Sequence, residues 1–307
     1  MKHIKENKLF HEYFKEWVEL YKVGAIRPVT LRKYIITQQK ILELAPFLVM
    51  KELDRKSYQK LLNDYAQTHE KQTTLDFHHQ IKGAILDALD EGIIKKDPTR
   101  KVVIKGKTPV PKKNKFLNQY ELRLLLNQLT LSDAISDDWL ILLIAKTGIR
   151  FSEALGITPA DFDFANQTLS INKNWNYKNP SGGFQPTKNP SSKRKIQLDW
   201  QTAMQFSQLV NKVEPGQPIF VSARVFNSTI NTKLARYCAN AGISTISIHG
   251  LRHTHASLLL FAGVSIASVA RRLGHSNMTT TQQTYLHIIQ ELENQDNDKV
   301  MRYLASL

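Results

Sequence analysis

The chain has 307 residues, 42% of them apolar and 22% charged, which suits two ordinary domains with apolar cores and excludes a disordered or fibrous protein. It carries 42 Lys and Arg against 27 Asp and Glu, a net charge of +15 that fits a polyanionic partner: DNA, RNA or an anionic membrane surface. A single cysteine, Cys238, excludes an internal disulfide and a cysteine-based zinc cluster; the polar start MKHIKENKLF has no secretory apolar stretch, and no run reaches the roughly 18 apolar residues of a membrane helix, so a soluble, cytoplasmic protein is expected.

The first hundred residues carry a helical pattern almost throughout. Leu9, Tyr13, Phe14, Trp17, Leu20 and Tyr21 recur at helical spacing until Gly24, and Pro28 with Thr30 starts a second run through Leu31, Tyr34, Ile35, Ile41 and Leu42. Asp54 reads as the N-cap of a third helix with Tyr58, Leu61, Leu62 and Tyr65. A fourth runs from about Thr73 through Ile81, Ala84, Ile85, Ala88 and Leu89 to Gly92. Four helices with short joints predict a small bundle over residues 1–100. Residues 101–115, KVVIKGKTPVPKKNK, mix Lys, Pro and Gly with a short β-like VVI and read as a basic linker.

A second module is expected over 116–307. Asn118 and Glu121 form a capping-box-like start for a helix over Leu122–Leu129, followed by an apolar helix over Trp139–Ala145 and a short one after Gly148 that bears Arg150 and Glu153. Strand-like pieces follow at Thr168–Asn172 and Arg194–Leu198, separated by an Asn-, Pro- and Gly-rich excursion that predicts a long mobile hairpin. Helices are then expected at about 227–241, 248–262, 266–273 and 280–290. The tail, about 291–307, sets Val300, Met301, Tyr303 and Leu304 behind a polar stretch. The fold class is thus mainly α: a helical bundle, then a mostly helical α/β domain with a small antiparallel sheet.

Several polar residues stand in apolar, helical surroundings, where a charge is costly unless it is used. Arg150 lies in AKTGIRFSEAL, Lys188 in QPTKNPSSKRKI, His249 and Arg252 three apart in IHGLRHTHASLLL, His275 in RRLGHSN, and Tyr285 in TQQTYLHI ten residues later. Singly, each has an ordinary explanation: an ion pair, a cap or a packing residue. In this order the set closely resembles the tyrosine recombinase family of phage and conjugative-transposon integrases. The match covers the second module, and the first resembles that family's core-binding domain through its helices and the PVTLRKY start.

The resemblance implies a site-specific DNA recombinase that integrates or excises a mobile element through a 3′-phosphotyrosine, with no metal, cofactor or ATP. Tyr285 would be the nucleophile. Arg150 and Arg252 would fork onto the nonbridging phosphate oxygens, which Lys cannot imitate. His249 and His275 would add hydrogen bonds, with His249 also taking the tyrosine proton, and Lys188 would protonate the leaving 5′ oxygen. Glu153 would position Arg150. His253 and His255 read as packing or capping residues, and Arg252 among the histidines argues against zinc. The implied partners are double-stranded attachment DNA, three further copies in a synaptic tetramer and an accessory directionality factor, with the tail docking on a neighbouring copy. Lys33, Lys40, Lys56, Lys60, Lys71 and Lys82 are candidate phosphate contacts of the first module. The chain starts at the core-binding pattern, so the arm-binding domain of many integrases is expected to be missing. A type IB topoisomerase-like enzyme and a catalytically silent DNA-binding protein are the competing functions.

Overall fold

The computed structural model describes residues 7–109, 116–187, 189–285, 301 and 304–306. They fall into two units, Met1–Lys112 and Lys113–Leu307.

In the first unit four helices surround one apolar core: α1 Phe10–Tyr21, α2 Pro28–Leu44, α3 Arg55–Ala66 and α4 Lys71–Asp90. Helix α1 buries Phe10, Tyr13, Phe14, Trp17 and Val18, the i, i+3, i+4, i+7 and i+8 stripe of an amphipathic helix. Pro28 opens α2, where its missing N–H costs nothing, and Asp54 caps α3 by accepting from the Ser57 N–H at 2.8 Å. Ile41, Tyr58, Leu61, Leu62, Phe77, Ile81 and Ile85 fill the interior. The VVI stretch is not a strand. Val102 and Ile104 pack on this core, while the Gln59 side chain accepts from the Val103 N–H and donates to its carbonyl, both at 2.8 Å, standing in for a neighbouring strand. Residues 101–109 of the basic segment therefore lie against the bundle, with the Lys107 N–H donating to the His69 carbonyl at 2.8 Å.

The second unit opens with α5 Gln119–Leu126, capped reciprocally by Asn118 and Glu121, then α6 Asp137–Thr147 and α7 Phe151–Leu155. Strands β1 Phe162–Asp163, β2 Thr168–Ile171 and β5 Arg194–Gln197 form an antiparallel sheet in the order β1-β2-β5. Between β2 and β5, β3 Lys173–Trp175 pairs with β4 Phe184–Pro186, so the expected excursion carries a two-stranded sheet of its own. Helices α8 Trp200–Val210, α9 Asn227–Asn240, α10 Ile248–Phe261, α11 Ile266–Leu273 and α12 Met278–Thr284 follow. Helix α8 has no counterpart among the helices expected from sequence periodicity. It buries Thr202, Ala203, Phe206, Leu209 and Val210 but leaves Trp200 67% exposed, which breaks the apolar rhythm at its start. Helix α6 is buried almost all round and forms the centre against which α10 packs.

Cys238 is buried, and burial raises its thiol pKa, as suits a small core residue. Tyr237 donates from its hydroxyl to Asp138 at 2.9 Å and Tyr177 packs edge-on against Phe151, so both serve the core. Tyr303 and most of the tail lie outside the described residues. Among the described residues no helix is long and apolar enough to cross a membrane.

Candidate active site

The end of α11 is the centre of the site. A helix terminates with unpaired carbonyls that carry the negative end of its dipole. Here three successive carbonyls each accept from a different arginine. Arg194 Nε donates to the Arg272 carbonyl at 2.6 Å, Arg252 Nη2 to the Leu273 carbonyl at 2.8 Å, and Arg150 Nη2 to the Gly274 carbonyl at 3.2 Å. Gly274 makes this possible. At φ +70° it turns the chain out of the helix, and a Cβ there would lie 2.8 Å from Arg194 Nη1.

The arginines are also tied to one another. Glu153, 1% exposed, accepts from Arg150 Nη1 at 2.7 Å and from the Arg150 backbone N–H at 2.9 Å. It also accepts from Arg194 Nη2 at 3.0 Å and Nη1 at 3.3 Å. Burial alone would raise its pKa, but Arg194 and then Arg150 overcome that and hold the carboxyl below its ordinary value, so it is an anion. Arg252, 3% exposed, donates through Nη1 to the Gly148 carbonyl at 2.8 Å, at the left-handed cap that ends α6. Burial and then the Arg150 charge push the Arg252 pKa down to about 9, so it is still a cation at neutral pH.

Tyr285 ends α12 and is 2% exposed, packed with Ala256, Leu260, Val269 and Leu273. Its hydroxyl is in a hydrogen bond with His253 Nδ1 at 3.0 Å. Burial pushes its pKa up to about 12, although Arg252 pulls it down. The histidine read from sequence as a packing residue is thus the one on the nucleophile candidate. His249 is exposed and one turn earlier on α10, its ring edge-on to His253 with centroids 4.8 Å apart. His275 shares a hydrogen bond with Thr281 at 2.8 Å, and burial followed by the Arg252 and Arg150 charges holds its pKa down to about 4, so it is neutral.

His255 faces the other way and is structural. Its Nδ1–H donates to the Ala145 carbonyl at 3.1 Å, and its Nε2 accepts from Arg272 Nε–H at 2.9 Å. A second ring proton would meet the Arg272 N–H head-on, and burial followed by the Arg272 charge lowers the pKa to about 3. Because the folded value lies below the ordinary value of about 6.5, the unfolded chain binds more protons between the two, and stability falls as pH drops through that window. The expected loss from His255 alone at pH 5, relative to neutral pH, is about 2 kcal/mol. Urea unfolding at pH 7 and pH 5 measures it. His255→Gln should flatten the slope, and an equally steep slope in that variant would assign the acid sensitivity elsewhere.

Of the six residues expected to react, the structure gathers Arg150, Arg252, His275 and Tyr285 around the end of α11, with Glu153 beneath Arg150 and His249 on the same helix as Arg252. Lys188 lies outside the described residues. Sequence reasoning did not single out Arg194, His253 as the partner of Tyr285, or Arg272. Among the described residues no group of three or more His, Cys, Asp or Glu is placed to hold a metal ion.

The candidate phosphate contacts of the first unit are spread over three helices: Lys33 and Lys40 on α2, Lys56 and Lys60 on α3, Lys71 and Lys82 on α4. Lys40 pairs with Glu43 at 2.5 Å and Lys60 with Asp64 at 2.8 Å, which reduces their charge toward a ligand. The cleft between the start of α3 and the 93–105 segment is basic on balance, with Lys51, Arg55, Lys56, Lys95, Lys96 and Lys105 outnumbering Asp54 and Asp97, while Lys60 and Asp64 there pair with each other.

The model of the phage integrase family matches residues 115–291. The integrase of Staphylococcus phage L54a is 28% identical over 173 residues, 51% of this chain and 49% of that protein. A XerC-like tyrosine recombinase of Caldanaerobacter subterraneus is 27% identical over 270 residues, 76% of this chain and 66% of that protein. The chain spans about half the length of the first of these relatives. Among solved structures, the Tn1549 transposon integrase in complex with a circular intermediate DNA superposes with a TM-score of 0.74 at 16% identity, over 90% of this chain and 94% of that one. A lambda integrase tetramer bound to a Holliday junction gives 0.67 at 17% identity, over 89% and 79%. These two show a shared fold. With the family model spanning the arginines, the histidines and Tyr285 alike, the chain belongs to the phage integrase family.

Proposed function

We propose that this protein is a site-specific DNA recombinase that cleaves and rejoins strands through Tyr285. The observation that carries the reading is a buried tyrosine hydroxyl hydrogen-bonded to a histidine, beside arginines already fixed on a helix end. A phosphodiester under attack gathers negative charge on its nonbridging oxygens, and donors held in place before the reaction stabilise that charge without reorganising. Arg150 and Arg252 are such donors, and the neutral His275 beside them donates a further hydrogen bond.

The Tyr285 oxygen attacks phosphorus as its proton passes to His253 Nδ1, and the bond to the 5′ oxygen breaks. A pKa near 12 makes the free hydroxyl a poor nucleophile, so proton removal during attack is required. His249 stands behind His253 to share the charge that develops on it. The departing oxygen takes a proton from Lys188, the role its family position implies. The product is a 3′-phosphotyrosine, which retains the ester's free energy; a 5′ hydroxyl from another duplex attacks it and frees the tyrosine. The first unit supplies phosphate contacts from its basic cleft and helices, which set register on DNA. Four copies assemble on two synapsed duplexes, as the lambda integrase tetramer does on its junction, with the tail and a directionality factor as further contacts.

The test is a duplex carrying the recombination core, mapped from the element's excision junctions and nicked so that the cleaved fragment diffuses away. Wild-type protein is expected to accumulate as a covalent adduct at the 3′ end without added nucleotide triphosphate. Binding to that duplex with no adduct would favour the silent DNA-binding alternative.

A further inference from the structure

Arg194 is absent from the set of residues assigned to phosphate or nucleophile, yet its guanidinium is engaged along its whole edge. Nε donates to the Arg272 carbonyl at 2.6 Å, Nη1 to the Ser192 carbonyl at 2.9 Å, and Nη1 and Nη2 reach the two oxygens of Glu153. Its side chain is 7% exposed, against 35% for Arg150. Nε, Nη1 and Nη2 of Arg194 are all committed to a carbonyl or to Glu153, whereas Arg252 engages carbonyls through Nη1 and Nη2 alone. The effect of Arg194 runs through the carboxylate it grips.

Glu153 has two tasks that conflict. It orients Arg150 by accepting from both its side chain and its backbone N–H, but a buried anion beside a cation also cancels that cation's field. With Arg150 as sole counterion, Glu153 would form a neutral pair and leave Arg252 as the net charge facing the scissile phosphate. Arg194 resolves this by meeting Glu153 with a bidentate fork from the buried side, the strongest geometry for such a pair. Three guanidiniums against one carboxylate then leave a surplus of two positive charges.

We propose that Arg194 is a positioning residue for strand cleavage, neutralising Glu153 so that Glu153 can aim the Arg150 guanidinium without cancelling its charge at the phosphate. The proposal rests on the recombinase reading given above. Gly274 belongs to the same device, since a side chain there would displace Arg194 from Glu153.

Single-turnover cleavage at saturating nicked core duplex, with Kd measured separately on the same duplex, tests it. Arg194→Met is expected to slow cleavage on the order of 10²-fold while Kd changes by less than about threefold. Arg194→Lys keeps the charge without the fork and should lie between Met and wild type. The discriminating variant is Arg194→Met combined with Glu153→Gln. With the carboxylate gone its counterion is no longer needed, so the double variant should cleave about tenfold faster than Arg194→Met alone. A role confined to holding the fold together predicts the opposite, a double variant slower than either single one.

A duplex with a neutral methylphosphonate at the scissile position gives a second readout, because the Arg194→Met deficit should shrink when less negative charge must be stabilised. Should Arg194→Met fail to show a cooperative melting transition, the comparison of Arg194→Lys with and without Glu153→Gln carries the same test. Wild-type cleavage in Arg194→Met, or a double variant no faster than the single, overturns the proposal. Absence of an adduct with wild-type protein instead overturns the recombinase reading.

Discussion

Tyr285→Phe is expected to bind core DNA with wild-type affinity and to form no covalent adduct, a loss of at least about 10⁴-fold in cleavage. The substitution removes one oxygen and leaves the ring among Ala256, Leu260, Val269 and Leu273, so the packing that seats α12 is retained. The hydrogen bond to His253 is lost, which costs on the order of 1 kcal/mol in a partly buried pair. The protein therefore stays folded, and any loss of adduct reports chemistry. Tyr237 and Tyr177 do not substitute, because the first donates to Asp138 and the second packs on Phe151. An adduct that persists in Tyr285→Phe, mapped by peptide sequencing to another residue, would remove the assignment.

Arg252→Ala is expected to have the largest combined effect. Two carbonyls, those of Gly148 and Leu273, lose a charged donor, and each such bond contributes roughly 1.5–3 kcal/mol. A stability loss of about 3 kcal/mol should appear in urea unfolding. Cleavage should fall further than stability explains, by about 10²–10³-fold at a temperature where the variant is fully folded, because a preorganised donor to the transition state is gone. Arg252→Lys separates the two effects. It retains a charge but cannot bridge carbonyls on two different elements, so it should recover part of the DNA affinity and little of the cleavage rate. Cleavage by Arg252→Lys at the wild-type rate would recast Arg252 as a charge and nothing more.

Much of this was legible in the sequence because most of the residues gathered at the site lie on or next to helices whose apolar patterns are strong. The run from His249 to Leu260 identifies α10 and places Arg252 on its buried face, and the Gly-His pair after α11 marks its end. His253 was harder. Its neighbours at 251, 252 and 254 are all buried, and a half-buried histidine among them looks like a packing residue until Tyr285 is brought back from 32 positions away. Arg194 carried a usable signal. In β5 it shares a face with the buried Ile196, while Lys195 and Gln197 are exposed, so strand alternation alone turns it inward. An inward arginine requires a buried acid, and Glu153 is the one it meets. Helix α8 went unseen for the converse reason: the cap at Asp199 was there, but the exposed Trp200 and Met204 blurred the stripe. The Gln59 amide that mimics a strand beside Val103 has no sequence signature at all, since it joins positions 44 apart.

The convergence of Arg150, Arg194 and Arg252 on the end of α11 also sets an order in time. A chain emerging from the ribosome presents the whole first unit and all three arginines before residues 272–274 exist to receive them, and Tyr285 follows later still. Until then those guanidiniums have neither their carbonyl frame nor Tyr285 beside them. On the proposed reading, a chain interrupted anywhere before α11 has cations that attract DNA and no means to break it. On that reading the capacity to cut arrives with α11 and α12, after the capacity to hold.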